Sequence, residues 1–315
     1  MEPTSQAEPR VLVVGSAMID MVAYASVLPE AGETVVGDSF ALGFGGKGAN
    51  QAVMCALLGA SVSFVGCVGD DVFGEMTLEN LRSFGIDASR VARTSAAASG
   101  AAPIWVDAAG ENRIIVVPGA NHLLDPVAVE AAVRELSPEV VLCQLEIPAP
   151  CVRVALQTTR ERGGIAVLNP APMTDVPLEI LSLATWLIPN RSEFDAIARR
   201  LELAKDSQHA LARRVVAELG VDLVVTLGDD GVLLVERDGA VTPVPAPAAK
   251  PIDTTGAGDA FVGAFAYALA RGAAPRHAAA LACACASASV ESRGTQTSFP
   301  RGERLAELER QLNVP

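Results

Sequence analysis

Asp259 closes the stretch Asp253-Thr254-Thr255-Gly256-Ala257-Gly258-Asp259, which runs straight into the apolar segment Ala260 to Ala270. This spacing puts a carboxylate on the first turn of a helix. Gly256 and Gly258 have no Cβ, so the backbone can turn sharply and admit a ligand, leaving amide N–H groups unpaired at the helix start. Those amides and the helix dipole, about half a positive charge, make an anion site. An Asp near a helix start is also a favoured cap. From these residues alone, a purely structural role stands beside the functional one.

A second stretch, Gly43-Phe44-Gly45-Gly46-Lys47-Gly48-Ala49-Asn50-Gln51, contains a G-x-G-x-x-G pattern. A dinucleotide fold needs that pattern directly after its first strand, yet the first convincing strand, Val11 to Val14, lies far upstream. Nor is it a Walker A loop, because position 41 is Ala and Gly48 follows Lys47. Protein-kinase signatures are absent as well. The loop reads instead as a place where a small polar ligand touches backbone, with Lys47 and Asn50 as directional contacts. Four further segments set polar residues at strand ends: Gln144-Leu145-Glu146, Asn169-Pro170-Ala171-Pro172, Pro189 to Glu193, and Thr226 to Gly231. In the third, Ser192 or Asn190 can cap a following helix. The last is also sufficient as plain Asp-Gly hairpin chemistry.

The elements that must carry these residues alternate. Buried strand-like runs occur at Arg10 to Val14, Val62 to Val68, Val140 to Leu145, Ile165 to Leu168, Trp186 to Pro189 and Leu223 to Leu227. Helical patterns fill most of the gaps: Asn50 to Leu58, Phe73 to Phe84, Pro126 to Leu136, Cys151 to Arg162 and Gln208 to Leu219. Phe261, Phe265 and Leu269 recur every four residues, with Gly272 placed to end that helix. Such alternation predicts an α/β class with a mainly parallel sheet covered on both faces and ligands at the carboxyl ends of strands. Two segments break it. Met21 to Phe44, and the pair Ala101 to Asp107 and Arg113 to Val117, read as extended pieces of a small antiparallel sheet projecting as a lid. Pro243 to Pro251 is expected to be a loop near the site.

The formal net charge of −13 argues against nucleic acid, whose affinity rests on neutralising phosphates. It leaves a nucleotide open, since local donors decide phosphate binding once distant charges are screened. The six cysteines make no C-x-x-C pair and fall in apolar segments, which predicts buried reduced thiols. The three histidines are scattered and offer no zinc spacing. No apolar run reaches membrane-spanning length. Met1 to Arg10 lacks a signal-peptide h-region and the C-terminal residues match no targeting tail, so a cytoplasmic protein is the expectation.

Taken in order, Gly45 to Gln51, Gln144-Leu145-Glu146, Asn169 to Pro172, Asn190 with Glu193, Asp253 to Asp259 and Gly294-Thr295-Gln296 resemble the ribokinase-like (PfkB-type) sugar and nucleoside kinases. The resemblance runs from about residue 10 to residue 300. It implies a doubly wound α/β kinase domain over 10–315, a β-sheet lid from 17–48 and 99–118 inserted within it, and a disordered tail at 1–9. It further implies a homodimer through the lid, and phosphorylation of D-ribose at its 5-hydroxyl by MgATP. By position, Asp259 is the implied base, with Gly256, Ala257 and Gly258 supplying the anion hole. Asp20, Gly46, Lys47, Asn50, Glu146 and Asp259 are the implied sugar ligands. ATP falls to Asn190, Thr226, Gly228, Gly231, Gly258 and Cys283, with Glu193 acting on Mg²⁺ through water. K⁺ falls to Asp253, Thr255, Ser289, Ser292, Gly294 and Ser298. Bacterial-type members place Asn where Met18 stands, and eukaryotic-type members place Met; where the family often has Asn or His near adenine, this chain has Cys283. Competing readings are a relative acting on another sugar or on a nucleoside such as adenosine, a non-catalytic sugar-binding protein, and an NAD-dependent oxidoreductase resting on the Gly43 pattern.

Overall fold

The computed structural model describes residues 8–173 and 175–311. Its strands are β1 (Arg10–Val14), β2 (Met18–Tyr24), β3 (Ser39–Gly45), β4 (Ser61–Gly69), β5 (Asp87–Thr94), β6 (Gly100–Val106), β7 (Asn112–Ile114), β8 (Val140–Cys143), β9 (Ile165–Leu168), β10 (Trp186–Leu187), β11 (Asp222–Thr226), β12 (Val232–Val235) and β13 (Val241–Val244). The α-helices are α1 (Lys47–Leu57), α2 (Val72–Ser83), α3 (Pro126–Leu136), α4 (Ala149–Glu161), α5 (Leu178–Leu181), α6 (Arg191–Arg200), α7 (Gln208–Leu219), α8 (Ala257–Ala270), α9 (Pro275–Ser289) and α10 (Gly302–Gln311). Nine strands form the main sheet in the order β13-β12-β11-β10-β9-β8-β1-β4-β5, parallel from β11 to β5. The hairpin β12-β13 extends it antiparallel at one edge.

Strand alternation explains why both faces are covered. Val11 and Val13 belong to the core that includes residues of α1, α8 and α9, whereas Leu12 and Val14 belong to the one that includes residues of α3, α4, α6 and α7. Every residue from Val11 to Val14 is buried, as expected of a central parallel strand. Among the described residues no helix is long and apolar enough to cross a membrane.

The lid is a four-stranded sheet, β3-β2-β6-β7. It corrects one expectation, because its central pair is parallel: β2 runs beside β6 from Met18↔Gly100 to Tyr24↔Val106. Both strands leave the main domain outward and return through β3 and β7, so the two outgoing strands must point the same way. Pro243 to Pro251 is likewise not all loop, since Pro243 sits inside edge strand β13, where a missing N–H is tolerated. Trp186 to Pro189 pairs as a strand only over Trp186–Leu187; past Pro189, which has no N–H to donate, an isolated bridge Asn190↔Thr226 remains. The N-terminal tail lies almost wholly outside the described residues.

Candidate active site

The sheet changes winding direction between β1 and β8: β1 leads to β4 on one side, and β8 leads to β9 and β10 on the other. Open α/β sheets bind ligands outside the strand carboxyl ends at such a point. Here the two strand ends are tied together, because Ser16 Oγ after β1 donates to Glu146 Oε2 after β8 at 2.5 Å. The Lys47 amide donates to the same oxygen at 2.9 Å, bringing in the start of α1. Glycine permits that approach. A Cβ on Gly48 would lie 2.6 Å from the Ser16 nitrogen, and one on Gly45 would lie 2.3 Å from Asp20 Oδ1. The Gly43 pattern is therefore a lid strand and a close backbone crossing.

Asp259 is brought to this point by the packing of α8 on α1. Gly263, one turn further along α8, is the contact: a Cβ there would meet the Gln51 carbonyl at 2.6 Å and Met54 Cβ at 2.8 Å. With the helices this close, Asn50 Nδ2 donates to Asp259 Oδ2 and Gln51 Nε2 donates to Oδ1, both at 2.9 Å. Asp259 is 7% exposed and stands third in α8. Gly256 is the N-cap, with φ 80° and no side-chain cap; the Ala257 amide turns back to the Thr254 carbonyl at 3.3 Å, and no side chain closes the helix start. A Cβ on Gly258 would meet no protein atom within 4 Å, so the helix start is open on the cleft side.

Charge gathers in the same cleft. Burial pushes the Asp20 carboxyl up to about 6, helped by Glu146 and Asp259 nearby. The Lys47 ammonium is held above its ordinary value by Asp259, against burial, with Glu146 and Glu193 adding to the effect. Glu193 is raised mainly by burial, opposed by the Asn190 amide and Lys47. A cavity lined by Lys47, Asn190, Glu193, Thr226, Gly258 and Asp259, among others, joins Asp259 to the ends of β10 and β11.

On that side Asn190 is the cap of α6. Its Oδ1 accepts from the Glu193 amide at 2.9 Å, and Glu193 Oε2 accepts from the Asn190 amide at 2.8 Å, a reciprocal capping box. Gly228 and Gly231 shape the turn between β11 and β12, with φ 69° and 86°. Cys283 on α9 sits in the apolar core at 3% exposure, and it is not among the residues lining the cavity. Asp253 joins two loops beside the start of α8, accepting from the Thr255 amide at 2.9 Å and the Gly294 amide at 3.0 Å. Burial pushes its carboxyl up, but Thr255, Gly294 and Arg293 outweigh that and hold it below the usual range. Ser289 and Ser298 are buried beside those loops, whereas Ser292 is exposed.

All six cysteines are free and buried, and burial pushes the Cys55 and Cys283 thiols up to about 12, so they pack rather than react. The three histidines are exposed and far apart in sequence. No group of three or more His, Cys, Asp or Glu is arranged to hold a metal among the described residues. Five site residues had no role assigned from sequence: Ser16, Gln51, Gln144, Asn169 and Gln296, all buried. Their signal was position, since Gln51 and Gln296 end two of the motifs and Ser16 ends the first strand.

Residues 8–301 match the family described as pfkB family carbohydrate kinase. The chain is 38% identical to a ribokinase of Mus musculus over 296 residues, covering 92% of this chain and 91% of that protein. It is 35% identical to a deoxyribokinase of Salmonella typhi over 299 residues, covering 94% and 97%. Among solved structures it superposes on the Arabidopsis thaliana ribokinase complexed with ribose and ATP, with TM-score 0.85, 30% identity and coverage of 96% and 98%.

Proposed function

Because the chain belongs to the pfkB family of carbohydrate kinases, we propose that it transfers the γ-phosphoryl group of ATP to the 5-hydroxyl of D-ribose, with Asp259 as general base. The observation that carries this reading is the placement of Asp259. It stands on the first turn of α8, a helix start with no side-chain cap, with both oxygens fixed by Asn50 and Gln51 and Lys47 in the same cleft. Asp259 takes the hydroxyl proton as the sugar oxygen bonds to the γ-phosphorus, and the bond from that phosphorus to ADP breaks. In a loose transition state the proton leaves late, so a carboxylate is basic enough. The amides at Gly256, Ala257 and Gly258 face the charge that builds on the phosphoryl oxygens.

Asp20, Gly46, Lys47, Asn50 and Glu146 surround the sugar in this reading, pairing with an uncharged ligand through several hydroxyls. Asn190, Thr226, Gly228, Gly231 and Gly258 take the nucleotide. No three His, Cys, Asp or Glu among the described residues are grouped to hold a metal, which suits Mg²⁺ carried mainly by the phosphates, with Glu193 reaching it through water. Bound with ATP, that ion supplies neutralisation of phosphate charge. Asp253, Thr255, Ser289, Ser292, Gly294 and Ser298 form an oxygen-only donor set, which suits K⁺ as an activating cation.

A second acceptor, 2-deoxy-D-ribose, is favoured by the deoxyribokinase relative and by Met18, which shares a face of β2 with Asp20 and offers a thioether instead of a hydrogen-bonding amide. The deciding experiment is a panel of D-ribose, 2-deoxy-D-ribose, fructose and adenosine with MgATP, in K⁺ and in Na⁺. D-ribose is expected to give the highest kcat/KM, and more in K⁺. A preference for adenosine would remove the reading, and equal rates in both salts would remove the cation site.

A further inference from the structure

Asp259 ends two chains of buried amides. In one, Asn80 Nδ2 on α2 donates to Gln296 Oε1 at 2.8 Å, Gln296 Nε2 donates to Asn50 Oδ1 at 3.0 Å, and Asn50 donates to Asp259. In the other, Gln144 Nε2 after β8 donates to Gln51 Oε1 at 2.6 Å, and Gln51 Nε2 donates both to Asp259 and to Asn169 Oδ1, the latter at 3.1 Å. Both chains have one direction. Each amide gives an N–H toward the carboxylate, and the inner ones, Asn50, Gln51 and Gln296, also receive one from behind, so none can flip without setting like groups against each other.

Gln51 is fully buried and Gln296 is 4% exposed, and neither lines the cavity onto which Asp259 opens. Buried polar networks are costly unless every member is satisfied, and an apolar core holds helices together as well. This one leaves Gln144 Oε1 without a partner, in a place where a Cβ on Gly15 would come within 2.2 Å of it. A network that converges on one carboxylate despite that cost points to a task at the carboxylate. The last torsion of an aspartate is broad, so the side chain alone does not choose which lone pair faces a substrate.

We propose that Gln51 and Gln296 are positioning residues for Asp259, Gln51 by direct contact and Gln296 through Asn50, with Asn80 anchoring the outer end. They turn the carboxylate so that one oxygen lone pair faces the acceptor hydroxyl while the amides occupy the others. The inference rests on the reading of Asp259 as the base.

Its test is a double-mutant cycle on kcat with the preferred sugar. Gln296→Leu is expected to lower kcat about 10-fold to 100-fold, the loss that follows from misplacing a reacting group by about 1 Å. KM for ATP should stay near that of the parent, while the thermal midpoint falls by the few degrees that one buried amide left without its donor costs. Gln296→Glu, which has the same shape but sets an acceptor against Asn50 Oδ1, should lose at least as much. In an Asn50→Ala background, where the connection is already cut, either substitution should change kcat by less than about twofold, because residues acting as a unit are not additive. Asn80→Ala, at the half-buried end, gives the same cycle if Gln296→Leu does not fold, with an expected loss of about threefold that vanishes beside Asn50→Ala. Equal losses in both backgrounds, or a Gln296→Leu enzyme as fast as the parent, would overturn the positioning role while leaving the kinase reading intact. A parent that phosphorylates nothing in the panel removes both.

Discussion

Asp20 and Asp259 are carboxylates of one cleft with different surroundings and, in the proposed reaction, different tasks. Asp259 meets two amide donors and a helix start. Replacing it as Asp259→Asn keeps shape but removes the base, so kcat is expected to fall about 10²-fold to 10⁴-fold while the protein still folds; stopped-time assays beside a thermal melt check this. Asp20 instead is half-buried beside other acids, and its carboxyl is pushed up to about 6. The folded protein then holds that proton more tightly than the unfolded chain, whose Asp titrates near about 3.9. By linkage, Asp20 destabilises the fold above about pH 6, and this cost fades as pH falls toward 4. Sugar binding runs the other way, because only the ionised carboxylate accepts from two hydroxyls. KM for the sugar should therefore rise below about pH 6 while the unliganded protein gains stability. Asp20→Asn should melt higher than the parent at pH 7.5, melt alike near pH 4, and bind sugar poorly throughout. A parent whose sugar KM is flat from pH 7 to 5 would contradict this. At this scale the sequence was most legible where residue type meant charge: Asp259, Lys47, Glu146 and Asp20 all reach one cleft. It was least legible for the buried amides. Gln51 and Gln296 carry no charge, and their partners stand over 200 residues away in the chain, at Asp259 and Asn50.

Helix α8 separates two uses of glycine that the sequence alone does not distinguish. Gly256 has φ 80°, and a Cβ there would meet Thr295 Cγ2 at 2.5 Å; Gly258 is helical and faces open space. Gly256→Ala is expected to cost about 1 to 3 kcal/mol of stability, since a side chain in left-handed backbone is strained. Gly258→Ala should leave the melting temperature unchanged or slightly higher, because alanine favours helix over glycine. Its methyl group would fill the proposed phosphate cradle, so kcat should fall about 10²-fold, comparable to the loss of one anion-hole donor. A Gly258→Ala enzyme with parental kcat would mean that phosphate does not approach there. Elements with long apolar periods were the ones readable in advance: β1, β4, β8, α3, α4 and α7 start and stop close to where their patterns predict. Edge strand β5 was missed because its outward Arg90 and Arg93 break the alternation, and each instead pairs with an acid, Arg90 with Glu135 and Arg93 with Asp70 and Glu75. The parallel pairing of β2 with β6 was also hidden, because strand direction depends on where a chain leaves the domain and not on the pattern within the strand.

At the scale of the whole molecule, the lid has two faces with unlike chemistry. Register places Asp20 opposite Gly43 on the face toward the cleft, and so sets Met21 and Leu42, with Ala23 and Phe40, on the other. On that outer face Phe40 is 61% exposed and Leu42 is 46% exposed. Trp105 pairs with Ala23 and lies on the same side. Contiguous apolar surface on a sheet that covers a site marks an interaction surface more often than it marks solvent. The family resemblance implies a homodimer through the lid, and a twofold axis there would set this face against its own copy. The expectation is that the protein sediments as a dimer at micromolar concentration, and that Phe40→Lys with Leu42→Glu converts it to a monomer. Both changes sit on strands of the lid and outside the core, so the main domain should melt as before. The consequence for function follows from attachment. The two segments of the lid leave and rejoin the main domain near Ala17, Gly45, Ser99 and residue 118, so a lid without its partner sheet swings more freely, and Asp20 rides on it. The monomeric variant should therefore show a raised KM for the sugar, by about 5-fold to 50-fold, with KM for ATP little changed, because the nucleotide residues lie on the main domain. Sedimentation of parent and variant, paired with both KM values, checks the chain of reasoning. A parent that stays monomeric at every concentration would sink the dimer, and a monomeric variant with an unchanged sugar KM would show that the lid holds its position unaided.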